Sequence, residues 1–460
     1  MTVLVIDIGS SSVRALLFDS SARLIPAAFV QHQHQMQTDR AGAAYFEVEA
    51  LQHRVERCID EVLQHPAAAT IQAVGLTTFA SNCIGLGADN QPLTPLLTYA
   101  DSRSSADLET LRHTYLASDT LQRTGCPHHT AYWPGQLAWL HRTQPDVVQQ
   151  VRQWVDFGSY LYRQWFGVDV PMSYSMASWS GLLNRDTLTW DDVWLRALGM
   201  TPQQFPTLAD YTATQHGLQP SYALRWPHLL EVPIYLAVGD GAAATIGVGV
   251  LDECSMALTV GTTAALRMIS SDFMPPVPQG LWAYRVDATR HLIGGATSEG
   301  GNVYQWARDT LNLPPDAEQQ IIQRLSHTHG LTFVPHLAGE RSPNWNPHAT
   351  GSIHGLRLTT SAVDILQAAL EGVAHQLALI AERLPNAESV ERVYGGGGAL
   401  RQSAVWPQIM ADALRRELVL IESDEVTARG CACMVLSHLT NQPLAAFEAP
   451  TGRVITPRLR

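Results

Sequence analysis

Two short stretches of this chain collect the residue types that grip phosphate. Gly9, Ser10 and Ser11 lie between the apolar runs of "VLVIDIGSSSVRALLFD", and Gly261, Thr262 and Thr263 lie between similar runs in "SMALTVGTTAALRMI". Glycine lets the backbone approach an anion closely, while neighbouring hydroxyls and N–H groups supply donors. One such turn alone reads as an ordinary hairpin. Its recurrence half a chain later points to two turns gripping one polyphosphate. A third stretch, "YGGGGALRQSAVWPQIMADAL", places four glycines before a helix whose first N–H groups would face a ligand, with a flexible turn as the plainer alternative. It is not a G-x-G-x-x-G opening a first βαβ unit, which argues against a dinucleotide site.

The sequence contains no lysine: all 30 of its basic residues are arginine. The Walker A pattern and the strand lysine of protein kinases are therefore excluded. Charge on a bound phosphate would be answered by backbone dipoles, Mg²⁺ and arginine, of which Arg14 is nearest the first turn. In "LAVGDGAAATIGVG" one acid, Asp240, follows an apolar run and precedes small residues. It is either a helix N-cap or a carboxylate that takes the proton of a hydroxyl attacking a phosphoryl group.

These residues need a scaffold of alternating strands and helices. "TVLVIDIG" and "VRALLFD" predict a hairpin with a tight turn, and "SMALTV" with "AALRMI" predicts a second, so the chain reads as an internal repeat of two related halves across a cleft. "TIQAVGLTTF" predicts a strand, and "AVDILQAALEGVAHQLALIAERL" spaces its apolar residues by three and four, an amphipathic helix. The fold class is α/β, with a border near residue 245 and domains over 1–245 and 246–460.

Hydrophobic residues make up 46% of the 460 and charged ones 16%, which suits two layered cores and excludes a disordered chain. A net charge of −12 argues against an extended nucleic-acid surface or an anionic membrane as partner. No continuous apolar run reaches the roughly 18 residues of a membrane span, and Met1 leads straight into a strand pattern, so a cytoplasmic protein is expected. The six scattered cysteines read as reduced thiols, and "CAC" lies in a stretch that predicts a buried helix, where positions two apart do not share a face.

With these residues assembled, the chain resembles the FGGY family of carbohydrate kinases over nearly its whole length. "DIGSSSVR" is similar to the family's first phosphate motif, "LTVGTTA" to its second, and "GGGGALRQSAVWPQIMAD" to its adenosine motif. The resemblance implies two actin-like, ribonuclease-H-like domains facing across a catalytic cleft. It implies ATP-dependent phosphorylation of a terminal hydroxyl of a small sugar or sugar acid, with Asp240 as general base, Arg14 beside the transferred phosphate and Asp7 organising Mg²⁺ through water. The nucleotide would lie against Gly9, Ser10, Ser11, Gly261, Thr262, Thr263, Gly301, Gly397, Gly398, Ala399 and Gln402. A homodimer is the assembly the resemblance suggests.

"YADSR" is similar to the family's W-x-D-x-R sugar motif with Tyr99 replacing tryptophan, so Asp101 and Arg103 would hydrogen-bond substrate hydroxyls or a carboxylate. "PLTPLLTYADSRSS", "TGCPHH", "SYSMASWSGLLN" and "PHLAGERSPNWNPHATGSIHGL" look gluconokinase-like. One loop departs: Phe79, Ala80, Ser81 and Asn82 stand where such kinases carry Met-His or Gln-x-His against the substrate. Ser81 and His129 are the substrate-side residues expected from the resemblance, although adjacent histidines such as His128 and His129 on a polar loop read first as solvated. Arg341 reads equally as a pocket residue or a loop holder, and Trp345 and Trp406 as packing anchors. The rivals are a ketose or polyol kinase of the same family, and a nucleotide-binding sensor that keeps the fold without turnover.

Overall fold

The structure, a computed structural model, describes residues 1–271, 275–324, 328–423 and 425–458. Strands Thr2–Ile8 and Ser12–Asp19 form the first hairpin, antiparallel with Asp7 opposite Arg14, and the turn closes where Gly9 N–H donates to Ser12 O at 2.9 Å. Both strands are buried on both faces, as continuous Val, Leu and Ile runs require. Leu24–Gln33 extends the sheet antiparallel on one side, and Ile71–Thr78 runs parallel on the other. Ile234–Tyr235 and Val238–Gly239 both pair parallel with Ile71–Thr78, and Thr214–Gln215 completes seven strands.

The second sheet repeats this plan. Ser255–Val260 and Ala264–Ser270 are its hairpin, His291–Thr297 adds an antiparallel strand, and Arg392–Gly396 with Glu417–Ile421 continues it in parallel. Trp282–Arg285 and Gly452–Ile455 bring it to seven. The internal repeat inferred from two Gly-Ser/Thr turns is thus a repeat of sheet topology, with each turn at the same corner of its sheet.

Two elements differ from their sequence reading. "YLAVGD" is not one strand: Leu236 N–H donates to Tyr211 O at 3.2 Å, so the chain leaves the ladder between its two short pieces. The glycine run does not precede a single long helix. Gly395 and Gly396 end a strand, and Gly397 turns the corner at φ +102°, where a Cβ would stand 2.3 Å from Val260 O. Only a short helix, Gly398–Gln402, follows before Trp406–Leu414 begins.

The helix predicted from "AVDILQAALEG" spans Ala362–Ala381 and starts at a capping box between Ser361 and Asp364. It has the length and apolarity of a membrane span, yet 67% of that stretch is buried in the second core. Two further helices place the chemistry. Asp240–Gly247 starts where Val238–Gly239 leaves the first sheet, and Val426–Thr440, near the end of the chain, returns to lie against Thr2–Ile8 and Ile71–Thr78. These helices cross at Gly247 and Gly430 and bury Cys431 and Cys433. All six cysteines are free thiols, and only Cys254 is exposed.

Candidate active site

Asp7 sits near the end of the central strand of the first sheet, and its register partner on the hairpin is Arg14. The Arg14 Nη1 stands 3.8 Å from Asp7 Oδ2 and 3.3 Å from Glu425 Oε2, at the start of the returning helix. Burial pushes the Asp7 carboxyl up to about 7 against the pull of Arg14, and the charges of Asp240 and Glu425 add to the rise. Burial also raises Glu425, again opposed by Arg14. One arginine and three carboxylates therefore share the first lobe's side of the cleft.

Asp240 opens its helix as the first residue after the strand Val238–Gly239. Its Oδ1 accepts from Gly241 N–H at 2.8 Å, and burial raises its carboxyl while Arg267, from the second sheet, opposes the rise. A raised carboxylate is a stronger base toward a substrate hydroxyl than a solvated one. Beside it stands Trp179, whose indole packs on Gly239 and Gly241 and stacks on Tyr284 with ring centroids 3.7 Å apart. A Cβ at Gly239 would come 2.6 Å from Trp179 Nε1, so the small residues after the strand are there to admit that ring.

On the second lobe three segments converge. Gly301 N–H donates to Gly261 O at 2.7 Å and Asn302 N–H to Thr262 O at 3.1 Å, which fixes the second turn to the start of helix Gly301–Thr310. A Cβ on Gly301 would lie 2.7 Å from Gly261 O and 2.8 Å from the Ala399 methyl. Gly261, Gly301, Gly397, Gly398 and Ala399 thus form one small-residue surface beside exposed Thr262 and Thr263, with Gln402 closing the short helix.

The residues expected on the sugar side are bonded to one another and to the framework. Arg103 donates from Nε and Nη2 to Asp101, the latter at 2.7 Å, and its guanidinium lies 4.2 Å from the Trp139 ring centre. Asp101 is buried and also accepts from Ala44 N–H, whereas the Arg103 side chain paired with it stays partly exposed. Tyr99 OH reaches Ser10 Oγ at 3.5 Å, which ties this motif to the first turn. Ser81 holds φ at +56° and donates its hydroxyl to Trp179 O at 2.7 Å, while Asn82 accepts from Phe157 N–H. The departing loop is therefore built into the protein's own framework.

Neither histidine is freely solvated: His128 is buried and His129 half-buried. His128 is 6% exposed, and neither ring nitrogen has a partner among the described residues. Burial lowers His129 to about 3, with Arg341 adding to the effect, and its ring stands edge-on to Trp345 at 5.2 Å. Both imidazoles are held neutral by desolvation, which a polar-looking sequence did not signal.

Glu299, just before Gly300 and Gly301, is 1% exposed, and burial pushes it up to about 7. A folded-state value above the ordinary 4.5 means the native protein holds that proton more tightly, so stability falls as pH rises from about 4.5 through 7. Glu299→Gln is expected to flatten that fall by on the order of 1–3 kcal/mol. Chemical denaturation at pH 5 and pH 7.5 checks it; parallel losses in both proteins would contradict it.

Comparison with known proteins settles the ancestry of this arrangement. Residues 2–247 match the N-terminal domain of the FGGY family of carbohydrate kinases, and residues 256–437 match its C-terminal domain. The chain belongs to the FGGY family of carbohydrate kinases. The gluconokinase of Bacillus subtilis (strain 168) is 29% identical over 464 residues, covering 98% of this chain and 89% of that protein. A gluconate kinase from Lactobacillus acidophilus superposes with a TM-score of 0.91 at 25% identity, over 99% of this chain and 94% of that one. A ligand-bound xylulose kinase from the same organism gives 0.92 at 26% identity, with the same coverage.

This FGGY kinase has the two-domain architecture of sugar kinases, a family whose members use ATP. The structure brings Asp7, Arg14 and Asp240 together on one side of the cleft and the Gly261, Gly301 and Ala399 segments together on the other. It adds three residues that sequence reasoning missed: Glu425, Arg267 and Trp179. Glu425 precedes a buried helix in "SDEVTARGCACMVL", and an acid entering so apolar an element was the one available signal.

Proposed function

We propose that this kinase transfers the γ-phosphoryl group of Mg·ATP to the terminal hydroxyl of a gluconate-like sugar acid, with Asp240 as general base. The observation that carries the reading is the position of Asp240, which feels Asp7 from its own lobe and Arg267 from the other. A hydroxyl brought there meets a raised carboxylate. The resemblance of the chain to proteins named gluconokinase and gluconate kinase supports an acid as substrate.

In this reading the hydroxyl proton passes to Asp240 as its oxygen attacks, and the Arg14 guanidinium stands beside the transferred group. The hydroxyls of Ser10, Ser11, Thr262 and Thr263, with the backbone N–H groups of the two turns, hold the polyphosphate without a lysine. The donor set fits a hydrated Mg²⁺: Asp240 and Glu425 add negative charge around Asp7 that a cation would answer, yet the described residues contain no cluster of three ligand side chains that would enclose a bare ion. When bound, the ion would neutralise phosphate charge, and Asp7 would hold it through water. Closure of the two lobes then excludes water that would otherwise take the phosphoryl group.

ADP release measured with Mg·ATP across sugar acids, ketoses, aldoses and polyols tests the proposal. Turnover is expected to be highest with a six-carbon sugar acid. A ketose exceeding every acid would replace the substrate with that of a xylulose-type kinase.

A further inference from the structure

Two arginines in the cleft, Arg267 and Arg341, each leave a guanidinium N–H without a partner. Arg267 Nη1 donates to Thr259 Oγ1 at 3.2 Å, but its Nε is closed off from solvent and has no hydrogen-bond partner. Arg341 Nε is in the same condition, and its guanidinium lies 5.7 Å from the Trp345 ring centre. Among the described residues neither arginine has a carboxylate within salt-bridge distance. Arg123 pairs with Asp191 at 2.6 Å, Arg290 with Asp287, and Arg225 with Glu56. A guanidinium N–H shut away from water without a partner is costly, so an anion brought by a ligand is the natural complement.

The placement says which part of a ligand this is. Arg267 feels Asp240 on one side and Arg341 on the other, and Arg341 in turn adjoins His129 and Trp345. Arg267 Nε lies 3.5 Å from where a Cβ on Gly241, the residue after the base, would stand, and Arg341 and His129 both lie against the Trp345 ring. A substrate whose terminal hydroxyl sits at Asp240 directs the rest of its chain toward these groups. Arg103, the other cation on the substrate side, already has a carboxylate partner in Asp101.

We infer that Arg267 and Arg341 together seat the carboxylate of the sugar acid and so set the preference for acids over neutral sugars. This assignment rests on the sugar-acid reading above and moves acid recognition away from the W-x-D-x-R motif. Two guanidiniums present planar donor forks that match a carboxylate, which one lysine or a neutral pocket would not.

The test compares gluconate with glucitol, its analogue carrying an alcohol in place of the carboxylate. Measured are kcat/KM for each, and the heat stabilisation each gives without nucleotide, in the wild type and in Arg267→Met, Arg341→Met and Arg103→Met. The acid-to-neutral ratio is expected to fall roughly 30- to 100-fold in either of the first two variants and to stay unchanged in the third. Gluconate should lose its heat stabilisation in the first two while Mg·ATP keeps its own, and Arg267→Lys and Arg341→Lys should recover part of the ratio. Equal losses on acid and alcohol would overturn the assignment and place these arginines with the phosphoryl group instead. So would a collapse of the ratio in Arg103→Met. A wild type that phosphorylates only neutral sugars would remove the substrate reading and this assignment together; a wild type active on gluconate with an unmoved ratio would remove the assignment alone.

Discussion

Asp240→Asn is expected to lower kcat for sugar phosphorylation by roughly 10²–10⁴-fold, the range of a lost general base, while Mg·ATP still binds. The substitution keeps the shape and the acceptor toward Gly241 N–H, but it cannot take the proton of an attacking hydroxyl. The fold should not suffer. Burial already disfavours the charged form of Asp240, so a neutral amide in its place leaves stability unchanged or raised at pH 8. Steady-state kinetics with nucleotide binding and a melting curve on the same preparation separate these effects. Full activity in a folded variant would show that another group takes the proton.

Gly430→Ala is expected to disturb both stability and catalysis, because that position carries the contact between the two helices that place the site. A Cβ there would stand 1.8 Å from Ala243 O and 2.7 Å from Gly247 N, and backbone atoms cannot swing aside as a side-chain tip can. The alanine gains about 1 kcal/mol in helix propensity. Pushing the helices apart costs about 3 kcal/mol, so the steric term wins. The helix that must move begins with Asp240, and the returning helix begins beside Glu425, the partner of Arg14. A displacement near 1 Å at the base is expected to cost roughly 100-fold in kcat. Denaturant titration and kcat measured together check this; an alanine variant as stable and active as the parent would mean that the helices are free to separate.

Local features of this protein were legible where local chemistry fixes them. The hairpins around Gly9 and Gly261 follow from apolar runs interrupted by small residues, and their repetition reads directly as two sheets of one topology. The helix Ala362–Ala381 follows from its apolar spacing and its Ser361–Asp364 cap. Asp240 stands out as one acid between an apolar run and a run of small residues. Glu425 and Arg267 did not stand out, because their roles depend on elements that meet only in three dimensions: a helix returning from the far end of the chain, and a strand face turned toward the other lobe. His128 and His129 misled for the same reason, since a polar-looking loop became buried between Trp194 and Trp345. The Asp101–Arg103 pair could have been anticipated, as an acid two residues before an arginine lies within reach of it.

The most direct test of a sugar-acid kinase is a competition in one vessel. Gluconate, xylulose and glycerol are mixed in equal amounts with limiting Mg·ATP, and the phosphorylated products are resolved by mass. Gluconate phosphate is expected to dominate, and to disappear with Asp240→Asn. Xylulose phosphate or glycerol phosphate as the main product would overturn the assignment of a sugar acid as substrate.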